Sequence, residues 1–189
     1  MTFREVVRQG ARQSNAAAAN QQQERNAQMS ALSVPVKEVS RFEEYLDHAA
    51  AEVFSTMMGV SCAPVNECAG RERETISAVI GLAGAVSGSM VMQSGNLAAM
   101  RMAERMTGIA PHSVDAMVRD AMGEVCNMLA GAWKGRDSRM SSGCLLSTPT
   151  VVAGNHYELF SQRASVRIER SYRFETMTFT VTIFCDMSS

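Results

Sequence analysis

The chain has 189 residues and a mass of 20.5 kDa, the size of a single domain or of one domain with a tail. Hydrophobic residues make up 46% and charged residues 20%, so it can bury a core without disulfides or metals. The net charge of -1 excludes the strongly basic field of a typical nucleic-acid-binding domain. The five cysteines form no CxxC pair and no common zinc spacing, so we expect a reducing, cytoplasmic location.

The N-terminal part differs from the rest in composition. Residues 1–38 are rich in Gln, Asn, Ala and Arg and have almost no aromatic residues, so we expect a flexible tail there. Arg4, Arg8 and Arg12 would form a basic stripe on a helix, but a solvated tail is the simpler interpretation. The folded domain is therefore expected over residues 39–189.

The hydrophobic pattern of the remaining chain predicts a helix, a strand hairpin, two helices and then several strands. Apolar spacings of three and four predict helices at residues 38–58, 97–106 and 114–134. Alternation and turn residues predict strands at residues 74–82, 86–92, 166–170 and 174–184. This order predicts an α+β fold with helices packed on a mainly antiparallel sheet.

One uncharged stretch, residues 75–100, is long enough to raise the question of a membrane span. Glycine and serine interrupt its apolar runs repeatedly, which is typical of strand, turn and strand. We therefore expect two strands with a tight turn at Gly84 and no transmembrane helix.

Two helical segments repeat one another in part. Ala49–Gly59 and Ala121–Gly131, offset by 72 residues, share Ala, Glu, Val and Gly at equivalent positions. Strand-like runs ending in Gly81 and Gly154 follow 22 and 23 residues later. We interpret this as a diverged duplication, which predicts two pseudo-symmetric halves whose helices lie side by side. Chance similarity between two amphipathic helices is the alternative.

The helix predicted at 114–134 has two distinct faces at about 100° per residue. Its apolar face collects Val118, Met122, Val125, Leu129 and Trp133. The opposite face, within about 60°, carries Asp120, Glu124, Asn127 and Gly131. We call these four residues the α3 ridge, because 114–134 is the third predicted helix, α3. The small residues Gly123 and Gly131 would let another surface approach this ridge closely. A merely solvated helix face is the alternative.

The first helix has a comparable ridge formed by Asp47, Glu52 and Ser55. Serine stands there where the second segment has Asn127. If the duplication is real, only the second helix keeps the carboxamide, and only one site would be active.

These residues carry a family resemblance. Asp120, Glu124 and Asn127 at spacings of four and three, followed by Pro149, resemble the signature of the CheC/CheX/FliY chemotaxis phosphatases. The run at residues 79–89 is similar to the family's Gly-rich hairpin. The resemblance covers residues 42–184, and a single Glu-x-x-Asn helix makes CheX the closest branch. The sequence departs from the family in the tail and in the 21 residues between Asn127 and Pro149, about one fewer than usual.

The resemblance implies a CheC-like fold for residues 39–189 and hydrolysis of the aspartyl phosphate of a CheY-like response regulator. Asn127 would position the attacking water, and Glu124 would dock on the receiver's lysine. Asp120 would have an auxiliary or docking role, and Gly131 and Pro149 a structural one. No cofactor or metal is expected in this chain, because the Mg²⁺ would belong to the partner receiver domain. We also expect a homodimer and no nucleic-acid partner.

Two other functions remain open. The same ridge could bind a receiver or a flagellar-switch component without hydrolysing anything, although the presence of Asn127 favours catalysis. A purely structural dimeric domain would instead bury the ridge. The three histidines are expected to be surface or packing residues: His48, His112 and His156.

Overall fold

The computed structural model describes residues 36–66, 74–155 and 164–187. Helix α1 spans Val36–Val53, continues as a π-helical turn over Phe54–Met58, and is capped at Gly59 with a φ of 65°. The predicted stop at Gly59 is thus confirmed. Because α1 begins directly after Pro35, residues 36–38 of the predicted tail belong to the helix. Residues 1–35 lie outside the described part.

The predicted hairpin and the next two helices are present. Strands β2 and β3 follow a short strand β1; the three span Cys62–Val65, Glu74–Gly84 and Val86–Gly95. Gly84 has a φ of 113°, and a Cβ there would lie 2.0 Å from the carbonyl oxygen of Gly143, so only glycine fits this turn. Helices α2 and α3 span Asn96–Thr107 and Ala116–Gly135.

The C-terminal third adds one short helix and four strands. Helix α4 spans Ser138–Gly143. The strands β4 and β5 span Cys144–Leu146 and Thr150–Asn155, and the strands β6 and β7 span Val166–Phe174 and Met177–Met187. The strand predicted over 174–184 is confirmed as β7 from Met177 onward, but its start was wrong, because the chain turns at Glu175, with a φ of 49°, between β6 and β7. No glycine or proline marks this turn in the sequence.

All seven strands form one antiparallel sheet in the order β1-β6-β7-β3-β2, with β4 and β5 both paired to the outer edge of β2. The hairpins β2–β3 and β6–β7 meet at the centre through the β3–β7 pair. Strand β1 pairs with β6, and β5 pairs with β2, so each half adds its first strand to the hairpin of the other half. The predicted pseudo-symmetry is confirmed. The counterpart of β2 is β6, however, so the equal spacings to Gly81 and Gly154 did not mark equivalent strands.

The helices cover one face of the sheet. Alternate residues of β2 and β7 are fully buried against them, including Ile76, Ala78, Val181 and Ile183. Helix α3 contacts α1, α2 and the strands β2 to β5, so it is the central helix of this layer. Among the described residues, no helix combines the length and the apolar character needed to cross a bilayer.

Candidate functional site

The two faces of α3 are as the sequence predicts. All five residues of the apolar face are fully buried: Val118, Met122, Val125, Leu129 and Trp133. On the α3 ridge, Asp120 and Glu124 are exposed, and Asn127 and Gly131 are half-buried. The ridge therefore faces outward from the helix layer, where a second molecule can contact it.

Helix α3 is anchored along its buried side. The indole Nε1 of Trp133 donates a hydrogen bond to the carbonyl oxygen of Phe42 in α1 at 3.2 Å. The rings of these two residues pack edge to face, with centroids 5.4 Å apart. The thiol of Cys126 donates to the carbonyl oxygen of Ala78 in β2 at 3.5 Å. The side chain of Asp115 caps the start of α3 by accepting from the Val118 N–H at 3.1 Å. The ridge thus lies on a fixed element.

The polar side chains of the ridge have no partners within the described part of the chain. No side-chain hydrogen bond or ion pair joins Asp120, Glu124 or Asn127 to another described residue, although ten ion pairs occur elsewhere in the described part, such as Arg170 with Asp47. A carboxylate and a carboxamide on one rigid ridge can each form new hydrogen bonds to an approaching molecule.

Gly131, which belongs to the ridge, and Gly123, which lies beside it, have different surroundings. A Cβ on Gly131 would meet nothing within 4 Å, so the space above it is open, as expected. A Cβ on Gly123 would lie 3.3 Å from Cγ of Pro149 and 3.5 Å from a methyl of Val151. The expectation that Gly123 gives room to another molecule was therefore wrong, because Pro149 of the same chain fills it. Pro149 reaches the edge of the ridge from 26 residues beyond Gly123 in the sequence.

The predicted ridge on α1 is not a counterpart of the α3 ridge. The carboxylate of Asp47 accepts hydrogen bonds from Nε of Arg170 at 3.1 Å and from the hydroxyl of Tyr172 at 2.9 Å, both in β6. At the offset of 72 residues, the equivalent of Asp120 is the exposed His48 and not Asp47. The inclusion of Asp47 in an open ridge was therefore wrong, since its side chain is tied to the sheet.

The other two residues of the α1 ridge are engaged as well. Glu52 forms an ion pair with Arg136 at the end of α3. The hydroxyl of Ser55 donates to the carbonyl oxygen of Glu52 at 3.0 Å. Ser55 also lies in the π-helical turn, whose wider winding shifts it out of α-helical phase with Glu52. Of these two helices, α3 is the one whose glutamate and amide have no partners among the described residues.

Thiol, histidine and metal chemistry have no support at the ridge. Burial raises the pKa of Cys126, next to Asn127, to about 12, so its thiol stays protonated and is not a nucleophile at neutral pH. His48 and His112 are exposed, and His156 lies outside the described residues. The described segments contain no group of three or more His, Cys, Asp or Glu side chains arranged to hold a metal ion.

The sequence profile described as Chemotaxis phosphatase CheX matches residues 76–170, half of the chain. The chain belongs to the CheX family. The match includes α3 with its ridge and the segment around Pro149. No curated protein matches the sequence.

Solved structures of CheX proteins have the same fold. The Vibrio vulnificus CheX structure is 22% identical and superimposes with a TM-score of 0.66, covering 77% of this chain and 96% of that one. A CheX protein from Desulfovibrio desulfuricans is 24% identical with a TM-score of 0.66, at 77% and 99% coverage. The CheX–CheY–BeF₃–Mg²⁺ complex from Borrelia burgdorferi matches at 18% identity and a TM-score of 0.62, covering 77% and 97%.

The sequence analysis named Pro149 as a motif residue, but it did not predict that the segment Ser147–Pro149 lies beside the ridge. Ser147 accepts a hydrogen bond from the Gly81 N–H at 2.8 Å, and its own N–H donates to the Gly81 carbonyl oxygen at 2.9 Å. One signal was available in the sequence. A proline inside a strand-like run is typical of a bulge or an edge, and Pro149 stands in such a run.

Proposed function

We propose that this CheX-family chain accelerates hydrolysis of the aspartyl phosphate on a CheY-like receiver domain, with the α3 ridge as its active surface. The observation that carries the proposal is that the side chains of Glu124 and Asn127, on an anchored helix, have no partners among the described residues. Membership in a chemotaxis phosphatase family gives the class of substrate. A CheY-like partner is further supported by the similar fold of a CheX protein in complex with CheY.

An aspartyl phosphate is a reactive mixed anhydride, so the chain has to supply positioning more than chemistry. The water oxygen forms a bond to phosphorus while the bond between phosphorus and the aspartate oxygen breaks. The aspartate leaves as a carboxylate, and both protons of the water leave with inorganic phosphate. Asn127 can orient this water because a carboxamide accepts and donates hydrogen bonds without placing a negative charge against the phosphoryl group.

In this proposal Glu124 docks the receiver. It is exposed and one helical turn before Asn127, so a receiver lysine paired with it would fix the position of the phosphoryl group along the helix. Mg²⁺ would be held by the receiver. Asp120, one turn farther, would add a second negative charge to the docking surface. The resulting surface is acidic on one side and amide-bearing at its centre.

The test is phosphate release from a Mg²⁺-loaded, phosphorylated CheY-like receiver, with and without the protein and its Asn127→Ala variant. We expect acceleration by the wild type and loss of at least about 100-fold in the variant, the size typical of removing one preorganised hydrogen-bonding group. The variant should keep its melting temperature, since Asn127 bonds to no described residue. Binding without acceleration by the wild type would contradict catalysis and favour a receiver-binding module.

We also propose that the chain forms a homodimer through its sheet edges. Strands β1 and β5 are the outer strands of the described sheet, and outer strands present backbone groups that another chain can pair with. Sedimentation equilibrium should give twice the 20.5 kDa chain mass. A mass of one chain at every concentration tested would contradict the dimer without affecting the phosphatase proposal.

A further inference from the structure

The outer edge of β2 carries an irregularity beside the ridge. Strand β4 pairs Leu146 with Leu82, and β5 pairs Thr150 with Val79. From the first pair to the second, the β4–β5 side advances by four residues and β2 by three. The strands β4 and β5 are therefore one interrupted strand with a single extra residue. This is a β-bulge over Ser147–Pro149, a feature that re-aims side chains and occurs often near active sites.

Ser147 holds the bulge closed. Its backbone N–H and its hydroxyl oxygen both bond to Gly81, and the hydroxyl donates in turn to the carbonyl oxygen of Thr148 at 2.9 Å. A Cβ on Gly81 would lie only 3.3 Å from this hydroxyl, so a glycine on β2 admits the contact. Two of these hydrogen bonds join the bulge to β2 and the third lies within the bulge, so the bulge is a fixed structure.

The bulge directs Pro149 onto α3 next to Asn127. Pro149 lies against Gly123, and Asn127 is about 40° around the helix from Gly123, at about 100° per residue. The bulge therefore borders the α3 ridge on the side of Asn127, and Glu124 lies farther around, at about 100° from Gly123. Thr148 and Pro149 are both exposed on this border.

We propose that the bulge Ser147–Pro149 is a second docking element for the receiver domain, with Thr148 in the contact and Ser147 and Pro149 as positioning residues. This inference rests on the proposed function. A partner held by one helix ridge alone can rotate about the helix axis, and a second contact on the Asn127 side adds binding energy that is present in the bound receiver and in the transition state alike. A rigid wall on the Asn127 side stops that rotation.

Binding of a beryllofluoride- and Mg²⁺-loaded receiver tests the contact. Thr148→Glu places a negative charge beside the anionic phosphoryl position, and we expect its Kd to rise about tenfold, with slower association. Thr176→Glu, the same change at an exposed position in the β6–β7 turn, is the matched control and should stay within about twofold. Equal Kd values for the two variants would overturn the proposal.

Steady-state dephosphorylation tests the positioning role. Gly123→Ala brings a methyl to 3.3 Å from Pro149, whereas the same change at Gly135 of α3 meets nothing within 4 Å. We expect the KM of Gly123→Ala to be several-fold higher than that of the wild type, with kcat within about twofold. The KM of the control Gly135→Ala should not rise. Ser147→Ala should behave like Gly123→Ala, and Ser147→Thr, which keeps the hydroxyl, should restore the wild-type KM. A wild-type KM in folded Ser147→Ala would overturn the positioning role.

The two proposals fail in different ways. An inactive, non-binding wild type would overturn the proposed function and the second docking element together. An active wild type whose Thr148→Glu variant binds normally would overturn the docking element only.

Discussion

Helices α1 and α3 occupy equivalent places in the two halves of the fold, yet they are used differently. On α3, the glutamate and the amide of the ridge have no partners in the described structure, and the space above Gly131 is open. On α1, the equivalent glutamate pairs with Arg136, and a serine replaces the amide and bonds back to its own helix. One helix leaves its polar groups without partners among the described residues, and the other uses them within the chain.

The difference extends to the helix backbones. Helix α3 is α-helical from Ala116 to Gly135, whereas α1 changes to a π-helical turn at Phe54. Spacings of three and four residues align a ridge only while the α-helical winding continues. The two similar sequence segments therefore form one straight ridge, on α3, and one interrupted ridge, on α1. The comparison shows that a shared glutamate and a shared glycine do not suffice for an open ridge, because Gly59 ends α1 whereas Gly131 lies inside α3.

The largest effect on stability is expected for Asp47 of α1, whose carboxylate is hydrogen-bonded to the sheet. Asp47→Ala would leave the buried Tyr172 hydroxyl and the Arg170 guanidinium without their carboxylate, which costs about 2–3 kcal/mol. Asp120→Ala on α3 removes no bond within the described structure and should stay within about 0.5 kcal/mol. Urea unfolding of both variants measures the difference. Equal losses would show that the two acids are structurally equivalent after all.

The two glutamates should differ in receiver binding. Glu124→Ala is expected to weaken binding of the phosphoryl-mimic-loaded receiver about 30-fold, close to 2 kcal/mol, since it removes one partner of an interfacial charge pair. Glu52→Ala, which breaks only the exposed pair with Arg136, should change the Kd by less than about twofold. Titration calorimetry gives both values. A larger effect for Glu52 would move the docking surface to α1.

Gly131 separates the needs of the helix from those of the interface. Gly131→Ala fills open space and should stabilise the fold by up to about 1 kcal/mol, because alanine favours a helix over glycine. The added methyl should weaken receiver binding severalfold if the partner approaches the helix backbone here. Thermal unfolding and binding measured on the same sample check both signs. Higher stability with unchanged affinity would place the interface elsewhere.

The smallest effect concerns Cys126, whose position in α1 is taken by the non-titrating Phe54. Burial raises its pKa to about 12, above the ordinary value near 8.5 of the unfolded chain. The folded state therefore keeps a proton that the unfolded state loses, and stability falls as the pH rises above about 8.5. Between pH 8 and 9 the free energy of unfolding of the wild type should therefore fall by about 0.5 kcal/mol more than that of the Cys126→Ala variant. Urea unfolding at the two pH values measures it, and identical slopes would contradict burial of a neutral thiol.

Local pattern was sufficient for α1, α2, α3, the β2–β3 hairpin and the α3 ridge, but it did not predict the short helix α4. Their residues alternate or repeat within a few positions, so burial on one side leaves a direct trace in the sequence. The contact of Pro149 with Gly123 has no such trace, because it depends on a register shift between β4 and β5 along β2. Strand β1 is short and mostly exposed, and its order comes from pairing with β6. Asp47 could not be placed either, since its partners lie 123 and 125 residues away.

The exchange of Asn127 and Ser55 tests the difference between the two helices most directly. Single-turnover phosphate release from the phosphorylated receiver would be measured for the wild type, Asn127→Ser and the double variant Asn127→Ser with Ser55→Asn. Our account predicts that Asn127→Ser loses most of the acceleration and that Ser55→Asn does not restore it, because Ser55 lies in the π-helical turn beside the paired Glu52. Restored acceleration in the double variant, or full activity of Asn127→Ser, would contradict the assignment of the active surface to α3.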